Sequence, residues 1–184
     1  MNILVFDVET THKNKPNGKF TPLPYFGNHL VSIGYLMTDG EKPVEEDYLC
    51  FYHEQKEPDR GAFYKFQGVL DRADMLVGHN IKFDLNWIRE CNFTYDGPVY
   101  DTMVAEYVLA RSRKWALGLD ALTERYDVTR KQKDLTKDYL KDGLTFAQIP
   151  WDIVEEYGRT DVIATWEVAR AQLERYGIGW EAVA

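Results

Sequence analysis

The first nine residues constrain this chain most. Ile3-Leu4-Val5-Phe6 runs straight into Asp7-Val8-Glu9. Consecutive apolar residues of this kind read as a buried strand. Side chains alternate along a strand, so Asp7 and Glu9 point to one face. Two carboxylates held side by side resist ionising together. A hard cation bound by oxygen ligands relieves that repulsion. The plain alternative is a solvated strand end, so the rest of the chain must supply the acids that answer this pair.

At 184 residues the chain fits a single domain spanning 1–184. Hydrophobic residues at 45% and aromatics at 14% suffice for a packed core. A net charge of −8 argues against a surface coated with basic residues, yet leaves room for a local basic groove and an acidic cluster. Cys50 and Cys91 form neither a metal-binding spacing nor a disulfide framework. The opening apolar run is too short for a signal peptide and lacks a basic start. No apolar run approaches a membrane span. The expectation is a soluble protein of the cytoplasm, or of the host-cell cytoplasm for a viral source.

The pattern predicts a strand over 2–8, a loop from Thr10 to Asn28, and strands over His29–Thr38 and Asp47–His53 around an Asp39-Gly40 turn. A helix is predicted over Gly61–Arg72, a strand over Met75–Val77 and a helix over Ile81–Glu90. Val99-Tyr100 reads as a strand, with helices over Thr102–Ala110 and Gly118–Tyr126. Residues 128–144 read as a loop with one helical turn. The last helix runs from Pro150 to Tyr176, and Gly177 stops it. Three early strands followed by alternating strands and helices predict an α/β fold. Its mixed five-stranded sheet combines an antiparallel meander with parallel strands, flanked by helices.

Two later segments answer Asp7 and Glu9. In Gly78-His79-Asn80-Ile81-Lys82-Phe83-Asp84, the acid shares a helix face with Ile81, Leu85 and Ile88. An acid near a helix start is also favoured by the dipole alone. In the last helix, Tyr157 and Asp161 lie one turn apart on the side that continues through Ala164, Thr165 and Val168. Tyr157 reads equally as a core aromatic whose hydroxyl finds a polar partner in Asp161. Together these segments bring the inward-facing acids to four.

These stretches resemble the three motifs of the DEDD superfamily of 3′–5′ exonucleases. Asp7-Val8-Glu9, followed by Thr10, is similar to the first; Asn80-Ile-Lys-Phe-Asp84 to the second; and Tyr157-Gly-Arg-Thr-Asp161 to the third. The third has the pattern of the tyrosine (DEDDy) branch, since Glu156 stands where the other branch has its histidine. Within that branch the chain is similar to the proofreading domain of family A, polymerase I-like DNA polymerases.

The resemblance implies a ribonuclease H-like fold and two divalent metal ions, Mg²⁺ or Mn²⁺, held by Asp7, Glu9, Asp84 and Asp161. It implies that Asp7 bridges both ions and that Tyr157 orients the attacking water. The implied reaction releases nucleoside 5′-monophosphates from single-stranded or frayed DNA 3′ ends in proofreading, replication or repair. The partner would be a separate DNA polymerase chain. Thr10, His79, Asn80 and Phe83 are the candidate contacts to the strand, with core packing the alternative for Phe83 and Trp87, and hydrogen bonding within the turn the equal alternative for His79 and Asn80.

Basic residues gather at Lys13, Lys15 and Lys19, and again at Arg111, Arg113, Lys114, Arg125, Arg130, Lys131, Lys133 and Lys137. They suit either a phosphate-tracking groove or a solvated face. The competing functions are a ribonuclease D-like RNA 3′ exonuclease, which shares the chemistry, and a non-catalytic scaffold module for a polymerase.

Overall fold

A computed structural model describes residues 1–14, 20–111, 113–129 and 133–184. For Lys13, Asn14, Phe20, Tyr25, Lys133 and Asp134 it describes the backbone alone. Lys15, Lys19, Arg130 and Lys131 of the basic groups lie outside the described residues.

Five strands form the main sheet: β1 (Ile3–Thr10), β2 (Leu30–Thr38), β3 (Pro43–Cys50), β4 (Met75–Gly78) and β5 (Val99–Asp101). Their spatial order is β3-β2-β1-β4-β5. β1 pairs antiparallel with β2, and β2 with β3. β4 pairs parallel with β1, and β5 with β4. The expected meander with added parallel strands is therefore the observed sheet. Among the described residues six α-helices accompany it: α1 (Ala62–Leu70), α2 (Lys82–Glu90), α3 (Thr102–Ala110), α4 (Leu119–Tyr126), α5 (Lys133–Lys141) and α6 (Trp151–Tyr176).

Alternation along β1 divides the core into two layers. Leu4, Phe6 and Val8 pack with Phe66, Val69 and Leu70 of α1 and with Trp87 and Ile88 of α2. Ile3 and Val5 face the other way, against Val162, Trp166, Ala169 and Leu173 of α6. Asp7 and Glu9 continue the α6-facing series. Burying each large aliphatic side chain contributes roughly 1.5–3 kcal/mol, so β1, buried on both faces, anchors the fold.

Three boundaries differ from expectation. β1 extends to Thr10 because β2 stays paired with it to the end, through an irregularity between Glu9 and Thr10. β3 begins at Pro43 and ends at Cys50, not at Asp47 and His53. Its acids are neutralised at a sheet edge: Tyr35 donates to Glu45 at 3.0 Å, Arg72 pairs with Glu45 at 2.8 Å, and Lys65 pairs with Asp47. A proline and charged residues suit an edge strand. Within 128–144, α5 spans nine residues where one turn was expected. Its Tyr139 and Leu140 pack with Ile149 and Val154. That stripe is thin in sequence, and docking on α6 rather than propensity holds it. In the loop after β1, Lys13–Asn14 pairs with Phe20–Thr21, and Pro24–Phe26 forms a short 3₁₀ turn.

A buried polar knot ties α3, α4 and α6 together. The fully buried Glu106 carboxylate accepts from Arg125 at 2.8 Å, the Tyr126 hydroxyl at 2.6 Å and Gln172 at 3.0 Å. Arg125, one of the candidate phosphate-tracking residues, is therefore engaged inside the protein. Glu106→Ala should lower unfolding free energy by about 3 kcal/mol, because it strands a cation and two polar groups. A urea titration checks this, and an unchanged midpoint would show that the knot contributes little.

Candidate active site

The parallel pairing of β1 with β4 stops at Val5 opposite Val77. Beyond it, that edge of β1 lacks a strand neighbour, and the Val8 amide donates instead to Asp84 Oδ1 at 3.3 Å. This hydrogen bond brings Asp84, in the first turn of α2, to the acid end of β1. Asp84 is only 2% exposed.

The turn that aims α2 is built from the residues just before it. Asn80 has φ 57°, in the left-handed region that Asn tolerates. Its amide donates to Asp101 Oδ1 at 3.0 Å, and that oxygen also caps α3 through the amide of Met103 at 2.9 Å. His79 Nδ1 lies 2.9 Å from Thr102 Oγ1. A Cβ on Gly78 would meet Ile81 Cγ1 at 2.7 Å, so β4 must end in glycine for α2 to start where it does.

On the other face, α6 presents Tyr157 and Asp161 to β1. Ligand oxygens of Asp7, Glu9 and Asp161 all lie within 4.8 Å of one another. Asp7 is half-buried, while Glu9 and Asp161 are buried. Asp84 adjoins this trio through its interaction with Asp7. Burial, then the Asp7 charge, pushes the Asp84 carboxyl well above its usual range. Tyr157 is 8% exposed and hydrogen-bonded to Asp161. Burial and the charges of Glu9, Asp161 and Asp7 push its phenol far up.

The site test for a divalent ion is the donor set itself. Three carboxylates crowd into one cluster, and a fourth, Asp84, is raised first by its burial and then by the charge of Asp7. Hard oxygen donors of this kind fit Mg²⁺ or Mn²⁺.

The remaining sequence candidates take different positions. Thr10 is buried at the end of β1. Phe83 is half-buried and packs against the α1–α2 core layer. His79 and Asn80 hold the α2 turn. Trp87 is a core residue whose indole donates to the Pro22 carbonyl at 2.9 Å. Tyr48, which the sequence reading passed over, sits beneath the acids. It lies opposite Gly34 in β2, which is opposite Asp7 in β1. Its hydroxyl is 2.8 Å from Ser32 Oγ. The available signal was glycine in two element interiors, Gly34 and Gly158.

A sheet in this order, with four acids gathered at the end of its central strand, defines a ribonuclease H-like exonuclease fold. The solved structure of Brucella melitensis NrnC with bound Mg²⁺ has this fold, with a TM-score of 0.58 and 22% identity over 95% of this chain and 75% of that one. So does exonuclease X in complex with 5′ overhanging duplex DNA, with a TM-score of 0.54 and 14% identity over 99% of this chain and 97% of that one. A family model described as 3′-5′ exonuclease matches residues 28–175, and the chain belongs to that family. The match includes Asp84, Tyr157 and Asp161 and begins after Asp7 and Glu9. Among curated proteins, DNA polymerase I of Borreliella burgdorferi is 27% identical over 104 residues, 56% of this chain and 11% of that protein. DNA polymerase DpoZ of Acinetobacter phage SH-Ab 15497 is 25% identical over 130 residues, 64% of this chain and 21% of that protein. The chain thus spans about a tenth and a fifth of the length of these relatives.

An acid whose folded pKa lies above its unfolded value binds its proton more tightly when folded. Its contribution is therefore fully present below the unfolded pKa and is lost as pH rises through the folded one. Asp84 should make the metal-free protein less stable as pH rises through its elevated pKa. Asp84→Asn should flatten that part of the profile. Thermal melts in chelator, across pH, check this; parallel profiles for the two proteins would refute it.

Proposed function

We propose that this chain is a metal-dependent 3′–5′ exodeoxyribonuclease of the tyrosine (DEDDy) branch. It removes nucleoside 5′-monophosphates from single-stranded or frayed DNA 3′ ends. The observation that carries this reading is the convergence of Asp7, Glu9, Asp84 and Asp161, with Tyr157 hydrogen-bonded beside them. Two polymerases among the relatives favour DNA, and with it a proofreading, replication or repair role alongside a separate polymerase chain.

Asp7, Glu9, Asp84 and Asp161 would hold the divalent ions. When bound, these supply a lowered water pKa and charge neutralisation at the leaving 3′ oxygen. Asp7 is common to the carboxylate trio and to the interaction with Asp84, so it would take part in holding both ions. Glu9 and Asp161 flank it on the α6 side, and Asp84 supports it from α2. A phenol is a poor general base at neutral pH, and burial pushes that of Tyr157 further up, so it would orient the attacking water by hydrogen bonding and not take its proton. The acids contact only phosphate and water, so the chemistry accepts any strand end that reaches them. A paired terminal base must first unstack. Thr10, His79, Asn80 and Phe83 are the residues proposed to contact the strand.

The test is a timed digestion of end-labelled single-stranded DNA in Mg²⁺ or Mn²⁺, with a matched RNA strand alongside. Asp7→Ala should reduce release to background. Tyr157→Phe should retain measurable activity, lowered roughly ten- to a hundredfold as for a group that orients a metal-bound ligand. A fully active Asp7→Ala protein would falsify the site. Faster RNA cleavage would favour the ribonuclease D-like reading, because only the 2′-OH distinguishes the two strands. No release from either strand would leave the scaffold reading.

A further inference from the structure

Glycine inside a helix or strand weakens it relative to alanine, so it calls for a reason. Gly158 lies in the interior of the longest helix, between Tyr157 and Arg159 and three residues before Asp161. Gly34 lies in the interior of β2, directly opposite Asp7. Both glycines face the same side chain. A Cβ on Gly158 would meet Tyr48 Cε2 at 2.4 Å and its hydroxyl oxygen at 2.5 Å. A Cβ on Gly34 would meet Tyr48 Cδ2 at 2.9 Å.

Tyr48 is fixed from several directions. The register Asp7–Gly34–Tyr48 runs across three adjacent strands, and directly opposed residues project to the same face. The ring is therefore on the acid side of the sheet. Its hydroxyl is held by Ser32, the residue opposite Glu9. The Trp151 ring packs at 5.6 Å, and the Arg159 guanidinium lies 5.9 Å from the ring centre. The Tyr48 ring thus fills the gap between the sheet and the turn of α6 that carries Tyr157 and Asp161. A close-packed interior transmits a change in such a spacer directly to its neighbours.

We propose that Tyr48 is a positioning residue whose ring sets the distance from α6 to the sheet, and so the spacing of Asp161 and Tyr157 from Asp7 and Glu9. Gly158 is the complementary notch that lets the helix close to that distance. The inference rests on the nuclease reading of these acids, and it assigns the capacity of the site for a divalent ion to a residue that does not contact the ion.

The test uses the full chain as wild type, Gly158→Ala, Tyr48→Leu and the double variant. Mn²⁺ affinity is measured by titration calorimetry without substrate, and kcat and KM on a short single-stranded DNA. Circular dichroism melts confirm folding. Gly158→Ala should weaken Mn²⁺ binding roughly tenfold or more, in the range seen when the support of a metal ligand is lost. It should lower kcat with little change in KM. Tyr48→Leu removes the atoms that a Cβ at 158 would meet, so the double variant should recover most of the loss. That is a coupling a purely local effect of either change would not produce.

Tyr48→Leu alone should also weaken Mn²⁺ binding by loosening the spacing, which tests the inference even if Gly158→Ala fails to fold. Wild-type Mn²⁺ affinity in either single variant, or no recovery in the double, overturns the spacer. A wild-type chain that binds Mn²⁺ but releases no nucleotide removes the nuclease reading, and the binding comparison still decides the spacer. A wild-type chain that binds no Mn²⁺ overturns both.

Discussion

Everything at this site depends on holding like charges together. Asp7, Glu9 and Asp161 bring ligand oxygens within 4.8 Å of one another, and the Asp7 charge also acts on the buried Asp84 of α2. Left to themselves, such groups separate or take up protons. They stay because β1 is buried on both faces and α6 is pinned along its length by Val162, Trp166, Ala169 and Leu173. Apolar burial, which is non-directional and large, holds an arrangement that electrostatics alone opposes.

The scaffold meets that demand with short-range devices. The open edge of β1 beyond Val5 leaves the Val8 amide for Asp84. Asp101 serves two elements at once, taking the Asn80 amide and capping α3. Tyr48 occupies the space between sheet and helix, where two glycines make room for it. The Glu106 knot does comparable work away from the acids, joining α3, α4 and α6 through one carboxylate. Burial, and then the same crowded acids, push the Tyr157 phenol up.

Much of this was legible from the chain. Apolar runs located β1 and β2, and helical spacing located α2 and α6, because the two strands are buried on both faces and the two helices each bury a stripe. Pro150 and Gly177 marked the ends of α6, and Gly177 takes φ 70° there. Elements held by contacts distant in sequence were harder. β3 is hard to place because Glu45, Glu46 and Asp47 interrupt its apolar pattern, and the partners of Glu45 and Asp47, Arg72 and Lys65, come from other segments. α5 shows in the sequence only as one helical turn in a loop, because its apolar stripe is thin until α6 covers it. His79 and Asn80 had two readings, and the observed hydrogen bonds to Thr102 and Asp101 belong to the turn.

By itself the sequence determined which side chains share a face. Asp7 and Glu9 share a face because a strand alternates, and Tyr157 and Asp161 share one because a helix repeats every 3.6 residues. Those are local rules, satisfied within a few residues. Only the tertiary structure decided which acids meet. It sets Asp161 among Asp7 and Glu9, brings Asp84 in from the opposite side of the sheet, and places Tyr48 beneath them. The distances between β1, α2 and α6 come from packing among segments far apart in the chain, and side-chain volume at the contacts, not periodicity, sets them.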